Sequence, residues 1–264
     1  MIKTKSFRYE EKDRVATITL DRPERLNALT FEVYRELTDV FHTLQNHKTV
    51  GSVIVTGEGR GFCSGGDVKD IIGQLMGRDM AGLLDFTRMT CELIGNIRAL
   101  RKPVITALNG VVAGAGAMIA LASDIRIACP EARIAFLFVK VGLSGADMGA
   151  AFLLPRVIGL SKATELLFTG DFISAEEAEK IGLYNRVVSS QDLMKEAQSW
   201  ASKLADGPGF GIGITKEMLN QEFNMGLTAA LEAEAQAQAI CMQHPDYNEA
   251  HQAFVEKRKV NFQK

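Results

Sequence analysis

Cysteine is scarce in this 264-residue chain, and Cys63, Cys91, Cys129 and Cys241 show neither CxxC nor zinc-like spacing. That gives no disulfide framework and no zinc module, and suits reduced thiols acting as small core or loop residues. Histidine is equally scarce. His42, His47, His244 and His251 lie on an early helical stretch or in the C-terminal region, so neither a metal cluster nor a Ser-His-Asp arrangement is supported. No segment reaches the roughly eighteen uninterrupted apolar residues of a spanning helix, and the N-terminal MIKTKSFRYEEKDR has no apolar signal core. The expected setting is cytoplasmic for a bacterial chain, with an organelle after processing as the alternative. A dominant charge is absent too. The net charge is −2 and no basic stripe is interleaved with aromatics, so neither nucleic acid nor a membrane is an expected partner.

What is present is apolar residue in quantity, 47% of the chain, enough to bury a large core as one domain with a terminal extension. The period-two pattern predicts a strand pair over residues 6–20 with Glu11-Lys12-Asp13 as its turn. Val33, Leu37, Val40, Phe41 and Leu44 share one helical face within residues 30–47. Further strands are expected at 52–56, 103–108, 124–128 and 132–136. Between Asp67 and Leu100 the pattern is helical, with breaks expected at Gly73 and Gly77; Met76, Met80 and Met89 are expected to fill core, the alternative being a mobile substrate-side wall. From about Ser161 strands should cease. A helix is expected up to Gly170, and Ser174-Ala175-Glu176-Glu177 is a capping box whose helix stops at Gly182. Leu193, Ala197, Trp200, Ala201 and Leu204 form a later apolar stripe, and Leu231–Ala239 reads as helix from its Ala, Glu and Gln content.

Two glycine-rich segments about fifty residues apart, Phe62 to Asp67 (FCSGGD) and Asn109 to Met118 (NGVVAGAGAM), each follow an apolar strand-like run. Either alone suits an ordinary turn. A P-loop would need Lys-Ser or Lys-Thr after its last glycine, which neither has. A dinucleotide fingerprint would need Gly or Ala where Ile119 stands. As a pair they suggest two main-chain N–H groups aimed at one anionic oxygen, the arrangement that stabilises charge developing on a thioester carbonyl.

Together with Asp21-Arg22-Pro23-Glu24-Arg25-Leu26-Asn27-Ala28, KPVITALNGVVAGAGAM from Lys102, SDIRIA from Ser123, LLPRVIG from Leu153, TGDFISAEEAEKIGLYNRVV from Thr169 and AFVEKRK from Ala253, these segments resemble the crotonase family, the enoyl-CoA hydratase and isomerase superfamily, over nearly the whole length. The resemblance implies an α/β fold, a spiral of repeated strand-strand-helix units over residues 1–198, and a helical oligomerisation region over 199–264. It also implies a CoA thioester substrate, with coenzyme A arriving as part of that substrate and no permanently bound cofactor. The family's oxyanion hole falls on the amides of Gly66 and Ala115. Arg25, Leu26 and Ala28, with Ser64, Gly66 and Asp67, would lie along the CoA body. Phe254 and Lys257 would complete the CoA site of a neighbouring subunit in a homotrimer or dimer of trimers. As plain sequence, Glu256-Lys257-Arg258-Lys259 is also a solvated charged face.

The two glutamates of the best-known hydratases are missing. In the family register one falls on Met118 and the other on Phe138 or Val139, which would line an apolar acyl pocket. Asp147, nine residues before Arg156, matches a catalytic aspartate of dienoyl-CoA isomerases, ring-type enoyl isomerases and the 4-chlorobenzoyl-CoA dehalogenase. Its structural alternative is an N-cap for a helix beginning near Met148. Asp67 and Asp124 suit loop ordering and a strand start. Three readings follow: an acyl-CoA hydratase or isomerase with Asp147 as its one placed acid/base, a relative performing ring chemistry or dehalogenase-like hydrolysis, and a catalytically silent CoA-binding protein.

Overall fold

The computed structural model describes residues 2–262 and begins with a hairpin. Strands β1 (Phe7–Lys12) and β2 (Val15–Leu20) pair antiparallel through Asp13 and Arg14, whose φ values are 48° and 63°. Two consecutive left-handed residues twist in the same sense as the strands, so two residues close the loop. The turn expected at Glu11-Lys12-Asp13 is thereby corrected: Glu11 and Lys12 remain in the ladder opposite Ala16 and Val15.

The next strands come in pairs: β3 (Ser52–Gly57) with β4 (Gly61–Cys63), β5 (Val104–Leu108) with β6 (Val111–Ala113), and β7 (Ile125–Ala128) with β8 (Arg133–Ala135). Two-residue strands β9 (Ile173–Ser174) and β10 (Arg186–Val187) follow. The first member of each pair enters a six-stranded sheet, β1-β2-β3-β5-β7-β10. The second enters a four-stranded sheet, β4-β6-β8-β9. Pairing is parallel except between β1 and β2 and between β8 and β9. This is the expected α/β spiral of strand-strand-helix units. Strands do not cease at Ser161, because β9 and β10 close the edges of both sheets, and they are too short to show a period in sequence.

The corner from β3 to β4 is clamped by two asparagines. Asn109 Nδ2 donates to the Gly59 carbonyl at 2.8 Å, and Asn27 Nδ2 donates to those of Glu58 and Gly61 at 3.0 and 2.8 Å. Successive corners stack so closely that a Cβ on Gly110 would lie 2.8 Å from the Arg60 carbonyl carbon, so only glycine fits there.

Helix Phe31–Gln45 is capped by Thr30, whose hydroxyl accepts the Val33 amide at 3.3 Å. It buries the predicted face of Val33, Leu37, Val40, Phe41 and Leu44, and Tyr34 beside it. After Asp67 the chain runs through a wide π-type turn, Val68–Ile72, directly into Gly73–Leu75, and resumes as helix Met80–Ala99. Gly73 therefore does not break the helix; the break lies at residues 76–79. Core filling by methionine is corrected for Met76 and Met80, which are 84% and 79% exposed, whereas Met89 packs partly against the core.

The C-terminal third carries helices Leu160–Thr169, Ala175–Lys180, Leu193–Ala205, Gly209–Gln221, Leu227–Gln243 and Pro245–Val255. The Ser174 hydroxyl accepts the Glu177 amide at 3.2 Å, as the capping box requires. Residue 198 falls inside Leu193–Ala205, a helix tied to the sheet by the Ser52 hydroxyl, which donates to the Ala201 carbonyl at 2.9 Å. Lys216 Nζ, buried, donates to Asp124 Oδ2 at 2.7 Å and fastens Gly209–Gln221 to the start of β7. Among the described residues no helix is long and apolar enough to cross a membrane.

Candidate active site

Strands β4 and β6 pair in parallel, so the segments that follow them emerge side by side. Gly65, at φ 107°, and Gly114, at φ 51°, adopt backbone conformations that favour glycine. A Cβ on Gly65 would lie 3.3 Å from the Ala113 carbonyl and 3.6 Å from the Ala115 amide nitrogen, so the two segments are in contact. The Leu29 amide donates to the Gly65 carbonyl at 2.8 Å and the Asp67 amide to the Leu29 carbonyl at 2.9 Å. Those bonds hold Gly66 in a fixed strand-like bridge. Among the described residues, neither the Gly66 nor the Ala115 amide has an acceptor. Two such donors favour an oxygen carrying negative charge.

Ala115 opens helix Ala115–Ala122, every residue of which is buried. The positive end of this helix faces the same space, adding to the pull on an anion. Its opposite end is closed by Arg126, whose Nη1 donates to the Ser123 carbonyl and whose Nε donates to that of Leu183, both at 2.6 Å. Burial pushes the Arg126 guanidinium down to about 10, and Asp124 opposes that shift.

These donors line a cavity of about 210 Å³ that Ser64, Phe138 and Asp147 also line. Asp147 is half-buried, and its Oδ1 accepts the Met148 amide at 2.8 Å. Burial raises its carboxyl above the usual range, opposed by that amide. Asp147 is not a helix N-cap. The following helix is Ala150–Ile158, its N-cap position is Gly149, and Asp147 contributes only its main-chain carbonyl, to the Ala150 amide at 2.9 Å. The loop carrying Asp147 is seated on helix Leu160–Thr169 at Gly145, where a Cβ would lie 2.5 Å from the Leu167 carbonyl oxygen.

The remaining expected residues lie elsewhere. Met118 is fully buried in its helix and is not on the cavity wall. Val139 is also off the wall and turns toward Gly170, where a Cβ would meet its Cγ2 at 3.1 Å. Arg25, Leu26 and Ala28 form the loop against the cavity mouth: the Ser64 amide donates to the Leu26 carbonyl at 3.0 Å and the Ser64 hydroxyl to that of Arg25 at 3.3 Å. Asp67 is buried and points into its own loop, accepting the Lys69 and Asp70 amides at 3.0 and 3.2 Å and Arg22 Nη2 at 3.3 Å. Phe254, 84% exposed, and Lys257, exposed, lie away from this chain's own cavity.

Two aromatic cavity residues were not anticipated, Tyr34 and Phe86. Tyr34 lies three residues before Leu37 and seven before Phe41, so helical periodicity would have placed it on the buried face. Phe86 sits at helical spacing from Leu93, which is buried on the same helix.

The chain matches the family Enoyl-CoA hydratase/isomerase over residues 10–264. It is 38% identical over 248 residues to 1,2-epoxyphenylacetyl-CoA isomerase of Escherichia coli K12, covering 94% of each chain. It is 33% identical over 254 residues to short-chain-enoyl-CoA hydratase of Clostridium acetobutylicum, covering 95% of each. A solved structure from Streptomyces coelicolor A3(2), provisionally assigned as an enoyl-CoA hydratase, superposes with a TM-score of 0.95 at 50% identity, over 98% of this chain and 94% of that one. A sequence match of this extent, on a fold that superposes over nearly the whole chain, establishes that the chain belongs to the enoyl-CoA hydratase/isomerase family of acyl-CoA enzymes.

Proposed function

We infer that the cavity is an acyl-CoA active site in which the Gly66 and Ala115 amides bind the thioester oxygen while Asp147 removes and returns a proton. The observation that carries this reading is that all three line one small cavity. Taking a proton from the carbon beside a thioester places charge on the carbonyl oxygen. Two fixed amides, that of Ala115 at a helix N-terminus and that of Gly66 in its bridge to Leu29, stabilise that charge, each such donor being worth roughly 100- to 1,000-fold in rate. Among the described residues on the cavity wall, Asp147 is the only carboxyl group. One carboxylate suffices to move a proton between two carbons, whereas hydration by a pair of acids has no second member here. Bond migration is therefore favoured over water addition.

The thioester's coenzyme A would run along Arg25, Leu26, Ala28, Ser64 and Asp67 and meet Phe254 and Lys257 of a neighbouring copy in a trimer or dimer of trimers. Leu227, Leu231, Ile240 and Phe254 are large apolar residues exposed on the C-terminal helices, as a surface meant for another copy would be. A second reading has a specific observation behind it. Tyr34, Phe86 and Phe138 give the cavity an aromatic wall, which suits a cyclic or aromatic acyl group, and one relative is named for a phenylacetyl-CoA derivative.

The test is incubation of the protein and its Asp147→Asn variant with crotonyl-CoA and 3-hexenoyl-CoA in heavy water, followed by mass spectrometry. Deuterium uptake with bond migration by the wild type alone is the expected result. Water addition would make the protein a one-acid hydratase. Inertness toward both would direct the assay to cyclic, aromatic and halogenated acyl-CoAs, and binding without turnover of any would mark a silent CoA-binding protein.

A further inference from the structure

Two tyrosines are deeply buried with unpaired hydroxyls, Tyr184 and Tyr34, and of the two only Tyr34 is on the cavity wall. The residue is only 2% exposed, it lines the cavity with Asp147, and its hydroxyl has no hydrogen-bond partner among the described residues. Tyr9, by contrast, donates to Glu11 Oε1 at 2.9 Å. The Tyr34 ring is held in place, edge-on to Phe86 at 6.2 Å, with Phe86 in turn edge-on to Phe31 at 5.4 Å. Its backbone is held as well, the Tyr34 carbonyl accepting the Thr38 hydroxyl at 2.8 Å. A ring fixed this way cannot swing out to find water elsewhere.

The hydroxyl is a donor at any ordinary pH. Burial raises its pKa well above the usual tyrosine range, and proximity to Cys63 and Asp147 raises it further. Cys63 is itself a neutral thiol, pushed up to about 12 by burial. A hydrocarbon chain filling the cavity would leave this donor buried and unpaired, whereas a ligand oxygen would satisfy it. A site built around a hydrogen bond discriminates strongly against the analogue that lacks the matching atom.

We propose that Tyr34 Oη donates a hydrogen bond to an oxygen atom carried by the acyl group near the carbon that Asp147 serves, so that the preferred substrates are hydroxy-, oxo- or epoxy-acyl thioesters rather than plain enoyl chains. The proposal rests on the acyl-CoA reading of the cavity. It makes Tyr34 a specificity residue and assigns it no proton transfer.

The experiment is calorimetric titration of the wild type and Tyr34→Phe with two pairs of CoA thioesters: hexanoyl against 3-hydroxyhexanoyl, and phenylacetyl against 2-hydroxy-2-phenylacetyl. The wild type is expected to bind at least one hydroxylated member about tenfold more tightly than its parent. Tyr34→Phe should erase that preference while binding the parent at least as well, with thermal stability unchanged because the hydroxyl holds no protein partner. Binding of all four without a preference, or a preference that survives Tyr34→Phe, overturns the role of Tyr34 and leaves the active-site reading standing. If Tyr34→Phe slows hydration of crotonyl-CoA without altering any affinity, the hydroxyl serves water and the proposal fails. If the wild type binds none of the four, the acyl-CoA reading falls, and this proposal with it.

Discussion

A methyl group on Gly116 would overlap the Cys63 carbonyl oxygen and lie 2.6 Å from the Cys63 Cβ. The helix that presents the Ala115 amide thus rests directly on the end of the strand that leads to Gly66. Alanine is ordinarily the better helix former by about 1 kcal/mol, but here the added carbon strikes main chain that cannot rotate away. Gly116→Ala is expected to separate the two amides, lowering kcat at least tenfold with a smaller change in KM and depressing the melting temperature. Steady-state kinetics beside a thermal melt checks both.

Asp147→Asn should reduce turnover by a factor on the order of 100 to 10,000, the usual share of a positioned acid/base, while leaving acyl-CoA affinity nearly intact. The wild-type kcat/KM should rise with pH through a limb set above the ordinary carboxylate range, because burial raises the Asp147 carboxyl. That limb should vanish in the variant. A pH profile that keeps the limb would remove Asp147 from the mechanism.

The same shift bears on stability. A carboxyl whose pKa is higher in the folded than in the unfolded chain binds its proton more tightly when folded, so its contribution falls as pH rises between the two values. At pH 7 the Asn variant is therefore expected to be at least as stable as the wild type. Urea denaturation at that pH is the measurement.

Asp67 behaves oppositely. Burial tends to raise its carboxyl, but the Asp70 and Lys69 amides and the charges of Arg22 and Arg25 outweigh burial and hold it below the usual range. The stabilisation is present above the unfolded pKa and is lost as pH falls through the depressed folded value. Asp67→Ala leaves two amides unpaired and should cost about 1–3 kcal/mol at pH 7. The gap from wild type should narrow in acid, read by denaturant unfolding across pH.

Arg126→Met should cost roughly 3 kcal/mol, since it strips hydrogen bonds from buried carbonyls at Ser123 and Leu183 and removes the positive charge at the C-terminal end of the Ala115–Ala122 helix. Calorimetric unfolding reads the stability loss. A loss of activity larger than the loss of folded protein would show that the helix also shifts at its cavity-facing end.

Much of the fold was legible because its signals are local. The face of Val33, Leu37, Val40, Phe41 and Leu44, the Ser174 cap and the apolar runs of β3 and β5 each express a period or a short-range hydrogen bond. β4, β6, β9 and β10 were not, since two or three residues carry no period and form only where an existing edge offers partners. The exposure of Met76 and Met80 was equally out of reach, because a flexible apolar side chain reads the same in a core and on a surface.

The sequence by itself determined that two glycine-rich segments follow apolar strand-like runs and that one aspartate stands in a glycine-bearing loop downstream. It also carried the family pattern from end to end. Only the tertiary structure decided that Gly66, Ala115 and Asp147 share a cavity, that Met118 and Val139 face away from it, and that Tyr34 and Phe86 complete its wall. The reason is physical. A period shows that a side chain is buried, but whether burial means packing against a neighbour or facing an internal space depends on how closely elements distant in sequence approach. Here that approach is set by contacts such as Gly116 against Cys63 and Gly145 against Leu167.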